Sequence, residues 1–305
     1  MKKSIILGCT ALAIIAAGVA QAKPGDRLRA RLGNQNVSSS VPEAPGKQTL
    51  AYGADQQQEL DFWPAQGVKG AAPLVVFVHG GGWKRGSKDN ATGPWKAPHY
   101  SGEGYAYAAI NYRLVPAATV EQQAADVAAS LKYLIDHAAA LGIDPSRIVI
   151  MGHSAGAHLV ALVGTDERYL KAAGLSFASL SGVIPIDGAA YDVTRQISAG
   201  KARMKDTYLQ AFGTDPVRQR ALSPTLQAAA PNAPRFLLIH VQRPDGVQQN
   251  EELEAALRRN GTTVTRQGFP GEGLNGHMTI NRSLGDPSYA ATSVVDAWLK
   301  AVFGR

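Results

Sequence analysis

The sequence holds a single cysteine, Cys9, among its 305 residues. Cys9 sits inside an apolar amino-terminal stretch, so a chain cleaved after that stretch has no disulfide, no thiol nucleophile and no cysteine-held metal. No His-Glu-x-x-His or related ligand spacing occurs, and no P-loop lysine follows a glycine run. No metal or cofactor is therefore expected. Aromatic residues are only 7% of the chain, and no basic stripe is interleaved with them, which argues against nucleic acid as a partner. The longest apolar run, Ile5 to Val19, is about 15 residues, short of the roughly 20 needed to span a bilayer. Lys2 and Lys3 before it and Ala20-Gln21-Ala22 after it form the three regions of a secretory signal peptide. The expectation is an exported chain, periplasmic or secreted, that begins near Lys23 and carries no membrane span.

Removing residues 1–22 takes away two lysines and no acids, so the formal charge falls from +7 to +5. Residues 23–47 then read as a flexible basic arm, with Lys23, Arg27, Arg29 and Arg31 followed by Ser38-Ser39-Ser40 and Pro42 to Gly46. From residue 48 to 305 the pattern is that of one α/β domain. Gln58 to Pro64 alternates apolar and polar residues and ends at proline, the pattern of a half-exposed edge strand. Pro73 to Val78 is apolar without a break, as a central strand covered on both faces would be. Further strands are predicted at Tyr105–Tyr112, Ile148–Met151, Gly182–Asp187, Arg235–His240 and Thr262–Gln267. Helices are predicted at Val120–Ala140, Glu251–Asn260 and Ala290–Phe303. This alternation implies a mostly parallel sheet with helices on both faces. The polar stretch 191–230 is too long for a plain connection and is expected to be a small lid insertion.

Between the Ile148 strand and an apolar helical run stands Gly152-His153-Ser154-Ala155-Gly156. A serine on so sharp a turn has its oxygen lifted above the sheet, and flanking glycines tolerate the crowding. A hydroxyl becomes an effective nucleophile only beside a base, and the base needs a third group to fix its tautomer. His277, in the glycine-rich loop Gly271 to Met278 after the last strand, is the candidate base, and Asp245, in Arg243-Pro244-Asp245-Gly246, the candidate acid. The order Ser, Asp, His is that of an α/β-hydrolase. His79-Gly80-Gly81-Gly82-Trp83 follows the central strand. The N–H groups of Gly81, Gly82 and Ala155 are the expected oxyanion hole, with Trp83 close enough to line an acyl pocket. His79, His153 and His158 are assigned to packing and hydrogen bonding around these turns, and Asp61 and Arg113 to a bracing pair. Glu251 and Glu252 are read as favourable charges at a helix start.

With these motifs on the page, the chain from Gln48 onward resembles the HGGG-type α/β-hydrolases, which include the hormone-sensitive-lipase-like carboxylesterases. Together with Asn111-Tyr112-Arg113-Leu114, the motifs are similar to those of the feruloyl and acetyl esterase branch and of kynurenine formamidase. Two departures stand out: His153 precedes the nucleophile where many hormone-sensitive-lipase-like members have Asp, and His240 to Asp245 replaces their Gly-x-x-Asp ending. The resemblance implies a serine carboxylesterase that needs no cofactor and acts on a small-molecule or polysaccharide-linked ester. An arylformamidase-like amide hydrolase, a catalytically silent fold that binds the cell envelope, and a peptidase are the alternatives. Oligomeric state has no signature in the sequence.

Overall fold

The computed structural model describes residues 41–199 and 202–304. The expected signal peptide and the basic arm up to Ser40 lie outside the described residues. Eight strands form one sheet: β1 (Gln48–Ala51), β2 (Glu59–Trp63), β3 (Ala72–Val78), β4 (Ala106–Ile110), β5 (Ile143–His153), β6 (Gly182–Ile186), β7 (Arg235–Val241) and β8 (Thr263–Phe269). Their spatial order is β1-β2-β4-β3-β5-β6-β7-β8. The first two strands are antiparallel to their neighbours and the rest run parallel.

Helices cover both faces: α1 (Lys96–Gly102), α2 (Val120–Asp136), α3 (Ala138–Leu141), α4 (Ala155–Thr165), α5 (Glu167–Ala172), α6 (Val193–Ala199), α7 (Ala202–Phe212), α8 (Pro216–Ala221), α9 (Pro224–Gln227), α10 (Pro244–Arg259), α11 (Gly273–Ser283) and α12 (Ala290–Phe303). The period of two along β3 divides the core. Leu74, Val76 and Val78 pack with Val127 and Leu131 of α2 and Leu159 of α4, while Val75 and Phe77 pack with Ile280 of α11 and Val295 and Leu299 of α12. Every residue of β3 is buried, as its unbroken apolar run predicts for a strand covered twice.

Several expectations are corrected. The Gln58–Pro64 segment is not an edge: β1 pairs outside it, and Leu60, Asp61 and Phe62 are buried. Asp61 is neutralised by Lys47 and Lys88, not by Arg113, which forks onto Asp126 of α2 instead. The α10 helix begins at Pro244, seven residues before the predicted start, because proline suits the first helical turn, where its missing N–H costs nothing. Glu251 and Glu252 therefore lie mid-helix, facing Arg266 and Arg195. The stretch expected as a lid insertion folds into α6 to α9. It seats Tyr208 and Phe212 against Trp83, with ring centroids 5.9 and 4.7 Å apart.

Candidate active site

The β5–α4 turn is built around close backbone approaches. Ser154 has φ 58° and ψ −117°, in the left-handed half of the map that side chains avoid. The flanking glycines permit this. A Cβ at Gly152 would fall on the Gly156 carbonyl oxygen, and one at Gly156 on the Val78 carbonyl oxygen. The Ser154 N–H donates to the Ile186 carbonyl at 3.1 Å, which ties the turn to the end of the neighbouring strand.

That strand end carries the acid. His277 Nδ1 donates to Asp187 Oδ2 at 2.6 Å, and His277 Nε2 accepts from Ser154 Oγ at 3.0 Å. Asp187, one residue beyond β6, is fully buried and has φ 45°. Its Oδ1 accepts the Val241 N–H, and its Oδ2 also accepts Arg243 Nε at 2.9 Å. Burial alone would raise this carboxyl. The hydrogen bond from His277 and the charge of Arg243 outweigh it and hold the group down at about 2. An ionised acceptor at Nδ1 fixes the proton there and leaves Nε2 free to take the serine proton.

Asp245 therefore does not orient His277. It lies in the first turn of α10 with its side chain 46% exposed, 3.4 Å from Gln196 Nε2 and 3.7 Å from Arg243 Nη1. Arg243, just before the helix start at Pro244, bonds to Asp187 in its stead. Nor is His277 in an open loop: it belongs to α11, and four residues on, Asn281 anchors that helix. The fully buried Lys96 Nζ donates to the Asn281 carbonyl and side-chain oxygens and to the Thr92 carbonyl, and it lies 4.7 Å from the Phe77 ring centroid. Its burial without a carboxylate partner pushes the Lys96 amine well below the ordinary lysine range. Asp187 and Lys96 were both missed in the sequence; for Asp187 the signal was an acid at the end of a predicted strand, where parallel sheets concentrate chemistry.

Gly81 and Gly82 follow β3 with φ 133° and 63°. A Cβ at Gly81 would fall on the Arg85 carbonyl oxygen, and one at Gly80 would lie 2.9 Å from Ser154 Cβ, so the loop presses against the nucleophile. Among the described residues the N–H groups of Gly81, Gly82 and Ala155 donate to no protein acceptor. The Asn111-Tyr112-Arg113 motif braces this loop. Tyr112 Oη donates to the His79 carbonyl at 2.9 Å and Asn111 Oδ1 accepts the Lys88 N–H at 2.7 Å, while Arg113 holds Asp126. The Trp83 carbonyl accepts from Gln123 Nε2 and the Val115 N–H.

Trp83 itself is only 3% exposed. It is packed edge-on by His158 and Phe212, so it joins the loop to the α7 helix and does not face an open pocket. The remaining histidines are structural. His79 bonds the Gly80 carbonyl and stacks on Tyr112, and His158 bonds the Leu222 carbonyl; burial lowers each to about 4, so both are neutral at pH 7. His153 donates from Nε2 to the His277 carbonyl, 4.4 Å from that ring, and burial together with the neighbouring His277 pushes it well below the usual histidine range.

A serine on a strand–turn–helix, an acid at a strand end and a histidine after the last strand, on this strand order, define the α/β-hydrolase class. Within that class the BD-FAE family model matches residues 60–256, and the chain belongs to the BD-FAE family. The expected fold and the resemblance to HGGG-type carboxylesterases are both borne out. Esterase LipC of Mycobacterium tuberculosis is 29% identical over 223 residues, 70% of this chain and 54% of that protein. The probable isoprenylcysteine alpha-carbonyl methylesterase ICMEL1 of Arabidopsis thaliana is 32% identical over 128 residues, 42% of this chain and 26% of that protein. The chain thus spans between a quarter and just over half of the length of these two relatives. In structure, C6-C4 SN3-inhibited esterase B of Lactobacillus rhamnosis superposes with a TM-score of 0.73 at 23% identity, covering 91% of this chain and 92% of that one. A truncated carbohydrate esterase from gut microbiota gives 0.70 at 19% identity, covering 88% and 100%.

Proposed function

We propose that the chain is an exported serine carboxylesterase acting on small acyl or aryl esters by way of an acyl-enzyme. The observation that carries this is the continuous hydrogen-bonded line from Ser154 through His277 to Asp187, beside the N–H groups of Gly81, Gly82 and Ala155, which among the described residues donate to no protein acceptor. Ser154 Oγ attacks the carbonyl carbon as His277 Nε2 takes its proton, and Asp187 stabilises the imidazolium. The N–H groups of Gly81, Gly82 and Ala155 receive the oxyanion, each donor contributing about 3 kcal/mol to lowering the barrier. The imidazolium then protonates the leaving alcohol, and water repeats the sequence on the acyl-enzyme. Family membership and the named relatives support an ester as substrate, and the signal-like segment 1–22 supports export to the periplasm or beyond. Acetyl or feruloyl esters of polysaccharide are the natural substrates that fit such a compartment.

The test is hydrolysis of p-nitrophenyl esters from acetate to octanoate by the chain beginning at Lys23, with Ser154→Ala as control. Turnover of the short esters that vanishes in the variant supports the proposal. A folded protein that turns over none of them refutes it and brings the formamide substrate forward.

A further inference from the structure

The acid beside His277 is held by more than backbone. Arg243, the residue just before α10, lays its guanidinium on Asp187: Nε donates to Oδ2 at 2.9 Å and Nη2 to the main-chain carbonyl at 3.1 Å. That Oδ2 is the oxygen to which His277 Nδ1 donates. The Arg243 side chain is 16% exposed and the Asp187 side chain is fully buried, so salt screens the pair little. A carboxylate with no cation beside it offers its whole charge to an imidazolium. Here the same oxygen already faces a fixed positive charge.

Resting on the serine-hydrolase reading, we propose that Arg243 is a positioning residue that tunes the base. It fixes Asp187 at two points, Oδ2 of the carboxylate and the main-chain carbonyl, and its charge at the oxygen it shares with His277 opposes a second positive charge on that ring, so the proton acceptor stays available in more acidic medium. The other groups facing the pair do not supply this. Ser154 and the neutral His153 ring adjoin His277, with Lys96 beyond His153. The Tyr191 and Tyr289 phenols near Asp187 are kept neutral, chiefly by burial. Asp245 opposes Arg243 from 3.7 Å but is half exposed. Among the described residues Arg243 is the only cation bonded directly to the acid.

The experiment is kcat/KM for p-nitrophenyl acetate from about pH 4 to about pH 9, read where p-nitrophenol and its anion absorb equally. The acid limb of this profile reports protonation of the essential base in the free enzyme. Arg243→Gln is expected to move the limb up by about one pH unit. Arg243→Lys, which keeps the charge but loses the fork, is expected to leave the limb in place while the plateau falls severalfold. A limb that stays put or moves down in folded Arg243→Gln overturns the proposal. If thermal melting shows that Arg243→Gln is unfolded, Asp245→Asn decides. Removing the opposing charge is expected to lower the limb by a few tenths of a unit, and a limb that stays or rises overturns the proposal. Absence of wild-type turnover, or turnover that survives Ser154→Ala, overturns the serine-hydrolase reading instead, so the two failures are distinct.

Discussion

Asp187→Asn separates the acid seen in the structure from the one the sequence suggested. The carboxylate accepts three N–H groups, from His277 and Arg243 at one oxygen and Val241 at the other. An amide has one oxygen and cannot satisfy all three. With the NH₂ toward His277, the imidazole must carry its proton on Nε2 and has no lone pair for Ser154, a change worth about four decades in kcat. With the amide oxygen toward His277, the NH₂ meets the Val241 N–H and the tautomer survives, but the charge opposite the imidazolium is lost. At about 4 Å and an effective dielectric of about 20, that charge is worth about 4 kcal/mol, or about three decades. Either arrangement predicts a fall of about 10³ to 10⁴ in kcat with KM little changed, since neither atom contacts the ester. The assay is steady-state hydrolysis of p-nitrophenyl acetate, normalised by titrating Ser154 with a phosphonate. Asp245→Asn is expected to keep its plateau rate within about threefold. Asp187→Asn within tenfold of wild type, or a hundredfold loss in Asp245→Asn, refutes the assignment.

Other perturbations have equally definite outcomes. Because the folded Asp187 carboxyl sits at about 2 against 3.8 ordinarily, its ionised form stabilises the fold at neutral pH. That contribution, about 2 kcal/mol, is lost as pH falls from about 4 through about 2. Urea unfolding compared at about pH 5, above that window, and at about pH 2.5, well into it, should show a larger loss of stability in wild type than in Asp187→Asn, the difference being this contribution. Lys96→Met leaves the Asn281 and Thr92 oxygens without their donor, so α11 should loosen; kcat is expected to drop about tenfold and stability by about 2 kcal/mol, measured by kinetics and denaturation. Phe212→Ala opens the packing between α7, Trp83 and His158 and should cost about 3 to 4 kcal/mol by chemical denaturation. Gly156→Ala forces a methyl group onto the Val78 carbonyl and is expected to abolish soluble, folded protein, as judged by expression and circular dichroism.

The Ser154 turn and the Gly81 loop were legible because their geometry demands backbone that only glycine tolerates, and glycine clusters survive translation from structure to sequence. Gly152, Gly156 and Gly81 each stand where a Cβ would strike a carbonyl. The acid had no such mark. A carboxylate needs only to be buried beside a histidine, and any strand end on the upper edge of the sheet can supply one, so the sequence reading settled on Asp245 although Asp187 carries the same chemistry. What separates them is the helix start at Pro244, and helix boundaries are the least sharply encoded feature of a chain. His277 was legible by type and order but not by setting, since its glycine-rich surroundings read as loop while Lys96 and Asn281 pin them as helix. The buried Lys96 itself looked like any surface lysine, because an amine held by carbonyl oxygens leaves no partner to find in the sequence.

The β5–β6 register joins His153 to Ile186, and the Ser154 N–H closes onto the same Ile186 carbonyl. Nucleophile and acid are thus rungs on adjacent rails of one ladder, separated by a distance that the sheet sets and no loop can change. The base alone is delivered from elsewhere, on a short helix moored by a lysine. Assembly of the proposed triad is therefore a docking of two bodies, not three. Partial opening of the carboxy-terminal region would withdraw the base and leave the other two in register, so that activity returns as soon as one helix finds its mooring.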